Sequence, residues 1–139
     1  MRALDAAKTA GAEYADVRIS QNRNQAIQTR EHRVQALNDS ETFGFGVRVL
    51  VRGAWGFAAS RDLSPDEMVR VAKQAVAQAQ ANRAALERPV VLAPVTPTAN
   101  GTWRSPVEID PFDVPVEEKL ALLLHAKAAA LNVKAGELV

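Results

Sequence analysis

Few side chains in this sequence could do chemistry, and they are scattered. The chain carries two histidines, His32 and His125, and no cysteine. A catalytic zinc needs three protein ligands converging on one open site. The two histidines fall in different elements, and neither belongs to a His-x-x-x-His or His-Glu pattern. His32 sits in a polar turn, where an exposed side chain is the default, and isolated ligation there has no support. Asp16, Asp62, Asp66, Glu67 and Asp110 read as caps, turns and surface, so no close carboxylate pair is available for glycosidase or di-metal chemistry. No catalytic, cofactor-binding or metal-binding residue is assigned.

Binding chemistry has more to work with. Gly44-x-Gly46 suggests a phosphate cradle, yet the third glycine of the dinucleotide fingerprint would fall at Val49, and these glycines enter a strand instead of opening a helix. Arg48 and Arg52 could grip carboxylates or phosphates, although the polar row of a strand is more often solvated or partner-facing. Trp55 and Phe57 share one face of an apolar hairpin without interleaved lysines, which favours core or interface over base stacking. Arg48, Arg52, Trp55 and Phe57 are therefore the candidate peptide-facing or interface residues.

Composition narrows the partners. With 17 Lys+Arg against 16 Asp+Glu, the formal charge of +1 offers no broad electrostatic footprint for nucleic acid or an anionic membrane. The absence of cysteine removes disulfides and thiolate ligands, and no signal-peptide pattern or apolar run of membrane-spanning length is present. A cytoplasmic setting is expected. At 139 residues and 47% hydrophobic content the chain suits one domain plus an appendage.

The elements that must position these residues follow from periodicity. Leu4, Ala7 and Ala10 at helical spacing, stopped by Gly11, predict a short first helix. From Ala15 to Ser20 the period is two, predicting a half-buried strand. Polar Gln21 to Asn24 interrupts it, and Gln25–Arg30 and Val34–Asn38 predict a second and third strand, with Asn38-Asp39-Ser40 as the next turn. Val47, Val49 and Val51 share one face of the fourth strand, opposite Arg48, Leu50 and Arg52. Arg52-Gly53 predicts a tight turn into a fifth strand, whose slim row of Gly56, Ala58 and Ser60 implies close packing by another element.

Ser64-Pro65-Asp66-Glu67 predicts a capping box with proline in the first helical position, followed by the stripe Met68, Val71, Ala72, Ala75, Val76 and Ala79. Six of the seven prolines lie between Pro89 and Pro115, as in a linker or extended arm. A last helix opens after Pro115 with Glu117 and Glu118, its stripe being Val116, Leu120, Leu123, Leu124 and Ala128.

Three runs, in order, carry a family resemblance: Gly11-Ala12-Glu13-Tyr14-Ala15-Asp16-Val17-Arg18, Gly44-Phe45-Gly46-Val47-Arg48-Val49, and Gly56-Phe57-Ala58 ahead of the Ser64 helix. With Gly101-Thr102-Trp103 and Ile109-Asp110-Pro111-Phe112, the chain resembles the N-terminal domain and the start of the second region of the TldD/PmbA family, whose members are labelled modulators of DNA gyrase. The resemblance implies a metallopeptidase acting on unfolded or flexible peptides, in which a His-Glu-x-x-x-His helix binds a zinc-type ion in the TldD branch; PmbA-like members lack that motif. No position here matches it, so no catalytic residue carries over. The resemblance also implies a homodimer or a heterodimer with a paralogue.

The expected fold is α+β: a helix, a mostly antiparallel curved sheet of four to five strands, and a long Ala-rich helix packed on it. The expected organisation is a domain over 1–88, a Pro-rich linker over 89–115 and an incomplete second region over 116–139. The expected role is a non-catalytic domain that walls a substrate chamber or a subunit interface. The alternatives are a peptide-binding module that works by strand addition and a gyrase regulator without peptidase activity.

Overall fold

A computed structural model describes residues 2–30, 32–94, 96 and 99–133. The described elements are α1 (Arg2–Thr9), β1 (Tyr14–Arg30), β2 (Arg33–Val51), β3 (Ala54–Ser60), α2 (Pro65–Asn82), a 3-10 turn (Arg83–Ala85) and α3 (Val116–Leu131). The strands form an antiparallel sheet in the order β1-β2-β3, which makes the fold α+β as expected. The chain folds as two compact units, Met1–Asn22 with Glu41–Pro97, and Arg23–Ser40 with Thr98–Val139.

The first unit is a sheet covered on one face by helices. Phe45, Val47, Val49 and Val51 of β2 and Ala58 of β3 meet Val71, Ala72, Ala75, Val76 and Ala79 of α2, with Ala3 and Ala7 of α1 completing the core. Pairing places Val47 opposite Ala58 and Val49 opposite Gly56, so large and slim rows alternate across the inner face. The slim row lets α2 settle close. A Cβ on Gly56 would stand 2.0 Å from the Ala75 carbonyl oxygen and 2.9 Å from the Ala79 Cβ.

Local signals end the elements largely where expected. At the end of α1 the Ala12 amide donates to the Ala7 carbonyl and the Gly11 amide to that of Lys8, at 3.0 and 2.9 Å, while Gly11 takes φ +100°. That is a Schellman closure, which a residue without Cβ adopts cheaply. Arg52 and Gly53, at φ 48° and 77°, make the two-residue turn between β2 and β3. Both central positions of such a turn need positive φ, and an arginine there costs about 1 kcal/mol relative to glycine.

Two expectations need correction. The sheet has three strands, not four to five, because the polar runs read as breaks at Gln21–Asn24 and Asn38–Ser40 are strand. Their side chains pair across the hairpin: Gln21 donates to Glu41 and Asn22 to Thr42 in the first unit, and Arg23 and Gln25 donate to Asp39 in the second. These runs are exposed at 21–24 and 38–40, and an exposed stretch of ribbon needs no apolar alternation, so they carry no period-two signal. The capping box also does not close. Helix α2 starts at Pro65 after Ser64, but Ser64 makes no side-chain cap; its amide donates to Asp62 at 2.8 Å, and Glu67 turns to Arg70.

The second unit holds no buried residue among those described. Along α3, Val116, Leu120 and Leu124 of the expected stripe are half-buried, whereas Leu123 and Ala128 are exposed, as is Leu122. Lys119 donates to Gln25, the Arg23 guanidinium lies 4.7 Å from the Phe112 ring centre, and the Asp110 carboxylate accepts from the Phe112 amide. The same guanidinium holds the Asp39 carboxyl below the usual carboxylate range. Between Pro89 and Pro115 the described residues form neither helix nor strand, and in the first unit the Val90 amide docks on the Gly53 carbonyl at 2.9 Å.

Candidate functional site

Because side chains alternate along a strand, burying Val47 and Val49 under the helices sends Gly46 and Arg48 to the opposite face. Among the described residues of the first unit, no helix lies over that outer face. Arg48 reaches from β2 to Asp16 on β1, with Nε and one terminal nitrogen 2.8 and 2.7 Å from the same Oδ2. The pair raises the Arg48 pKa, chiefly through the hydrogen bond to Asp16. The guanidinium also lies 4.9 Å from the Trp55 ring, and Tyr14 meets that ring edge-on at 5.9 Å. Such a neutralised, ring-backed cation is a fixed part of the surface, with less pull on an anion than a free one.

Beside it runs a groove. One part, of about 310 Å³, lies against Asp16, Gly46, Arg48 and Phe57, and a neighbouring part of about 430 Å³ continues past Gly44 to Arg61. Phe57 is 57% exposed. A Cβ on Gly46 would stand 2.7 Å from its ring, so the absence of a side chain lets the ring lie down on the sheet.

The structure brings together three of the four residues singled out from sequence. Arg48, Trp55 and Phe57 share the outer face, while Arg52 stands in the β2–β3 turn and lines a different hollow with Gly11, Gln80 and Arg83. Alternation placed Arg52 on the Arg48 face, but a residue with φ 48° has left the strand and its period. Asp16 and Tyr14 were not singled out. No signal within β1 alone could have paired Asp16 with a residue 32 positions away.

At the β3 edge of the sheet, α2 caps two outward backbone groups. The Phe57 amide donates to Gln78 Oε1 at 3.3 Å, and Asn82 Nδ2 donates to the Trp55 carbonyl at 2.9 Å. Residues 55 and 57 point their backbone groups to one side of the strand, so one pair of side chains a helical turn apart satisfies both.

For a metal the residues described here do not fit. Among them no group of three His, Cys, Asp or Glu could hold an ion, and His32 and His125 are both outside the first unit. Among the described residues no helix is long and apolar enough to cross a membrane.

Comparison with known proteins gives a consistent placement. The model of a family described as PmbA/TldA metallopeptidase domain 1 matches residues 15–79, which run from the start of β1 to the last buried residue of α2. A metalloprotease of Methanocaldococcus jannaschii is 25% identical over 112 residues, covering 81% of this chain and 25% of the relative. A metalloprotease of Methanothermobacter thermautotrophicus is 33% identical over 119 residues, covering 85% of this chain and 24% of the relative. The chain thus spans about a quarter of the length of these relatives.

Proposed function

The chain belongs to the PmbA/TldD metallopeptidase family through its first domain, and on that premise we propose that it is a non-catalytic, substrate-side part of a peptidase acting on unfolded or flexible peptides. The outer sheet face is the peptide-facing wall. The observation that carries this reading is the groove beside Phe57, whose ring is exposed over bare glycine backbone while the neighbouring Arg48 is held by Asp16 and Trp55. Extended peptides dock in grooves with apolar lining and a few polar groups, and this face supplies one.

In this reading a zinc-type ion and the residues that activate water lie in parts of a longer protein that its relatives' length implies. A dimer with a second copy or a paralogue, in a cytoplasmic setting, belongs to the same proposal. Strand addition, the second reading, falls to the β1 edge, since Gln78 and Asn82 occupy two of the outward groups of β3.

A photoreactive phenylalanine analogue at position 57, mixed with an unfolded peptide, tests the reading. Crosslinking at 57 and none from the same analogue at 52 is the expected result, with no turnover by the chain in excess zinc. Metal-dependent cleavage by this chain alone, or crosslinking only at 52, overturns it.

A further inference from the structure

The groove on the outer face is not electrically uniform. At one end Arg48 is neutralised by Asp16. Arg18 lines both parts of the groove, and the part that continues to Arg61 is lined by no Asp or Glu. Neither arginine has a carboxylate partner among the described residues. Near Arg61 in sequence, Asp62 accepts from the Ser64 amide at 2.8 Å, and Glu67 is held by Arg70 through two bonds of 2.6 and 2.7 Å. Between the two arginines the floor is Gly44 and Gly46, with Ser20 alongside. A Cβ at Gly44 would stand 2.8 Å from the Ser60 carbonyl oxygen, so this stretch of floor presents backbone alone.

We propose that this end of the groove binds a carboxylate of an extended peptide, with an apolar side chain of that peptide against Phe57. The proposal rests on the peptide-facing reading above and adds a chemical preference and a direction to it. In this groove Arg48 is self-neutralised, whereas Arg18, which lines both parts, and Arg61 at the far end have no carboxylate partner among the described residues, so an added negative charge is favoured between those two. Arginine presents a planar fork of donors that matches a carboxylate, and an exposed ring beside it accepts the neighbouring aliphatic or aromatic side chain. The carboxylate can come from an Asp or Glu side chain or from the peptide C-terminus, since both present the same two oxygens.

The test uses the full chain and a short, labelled, flexible peptide carrying one Phe and one Glu, followed by fluorescence anisotropy at low salt. Comparison is made with the Gln isostere and with C-terminally amidated forms of both. The Glu peptide is expected to bind about tenfold more tightly than its neutral counterpart. The double variant R18Q/R61Q should lose that preference, keep the affinity for the neutral peptide and melt at the same temperature. A preference that follows the terminal carboxylate instead of Glu supports the same site and identifies the source. Equal binding of acidic and neutral peptides, or a preference that survives in the double variant, overturns the carboxylate assignment while leaving the peptide-facing reading in place. Binding of neither peptide overturns both.

Discussion

The side-chain amide of Asn82, at the end of α2, donates a 2.9 Å hydrogen bond to the backbone carbonyl of Trp55 on the edge strand β3. With Gln78 one turn earlier taking the Phe57 amide at 3.3 Å, the helix that builds the core also caps the sheet. An uncapped edge offers a row of free donors and acceptors to any other chain, so this pairing protects against unwanted strand pairing as well as stabilising the fold.

Replacing both amides, as in Gln78→Leu with Asn82→Leu, leaves the two backbone groups without partners. A loss of about 1–2 kcal/mol is expected in urea denaturation, since each net hydrogen bond contributes about 0.5–1.5 kcal/mol. The variant should also associate with rising concentration in light scattering. An unchanged midpoint and an unchanged mass would show that the edge is protected by other means.

Gly56 and Gly46 should respond differently to alanine. At Gly56 the new methyl meets the backbone of α2, with the Ala75 carbonyl oxygen 2.0 Å away, so the helix must move and a loss of about 1–3 kcal/mol or more is expected. At Gly46 the obstacle is the outer end of the Phe57 ring at 2.7 Å, which can swing into solvent. There the expected loss stays below about 1 kcal/mol, and thermal melts of the two variants side by side decide the ranking.

Glu67 gives the first unit an acid-sensitive contact. Hydrogen bonds from Arg70 and then Ser60 hold its carboxyl down to about 2, against an ordinary value of 4.5. A folded-state pKa below the unfolded one means that the stabilisation is present above pH 4.5 and is lost as pH falls from there toward 2. Glu67→Gln should therefore flatten the slope of stability against pH within that window and leave the slope near neutrality unchanged. Denaturation midpoints collected across the range measure it, and equal slopes for variant and parent would remove Glu67 from the account.

Legibility from sequence tracked how local each cause was. The Arg52-Gly53 turn, the Gly11 stop and the Pro65 start were readable because each depends on the backbone preference of one or two residues. The slim row of β3 announced a close neighbour, and α2 is that neighbour. The polar ribbon was misread because its strands are held by cross-strand pairs such as Arg23 with Asp39. Pairing of that kind leaves no periodic mark in either strand. Glu67 suited a capping box by spacing, yet Arg70 three residues on binds it with two hydrogen bonds, a choice that spacing does not rank.

By itself the sequence determined the α+β class, the alternating faces of β2 and β3 and the helical stripe from Met68 to Ala79, because periods of two and 3.6 are written residue by residue. Tertiary structure alone decided which polar residues meet. Asp16 reaches Arg48, Asn82 reaches Trp55, and Arg18 comes to line the same groove as Arg61, because strand register and the seating of α2 join positions far apart in the chain. Those contacts set where the outer face is neutral and where it carries uncompensated charge, and that difference underlies the proposed site.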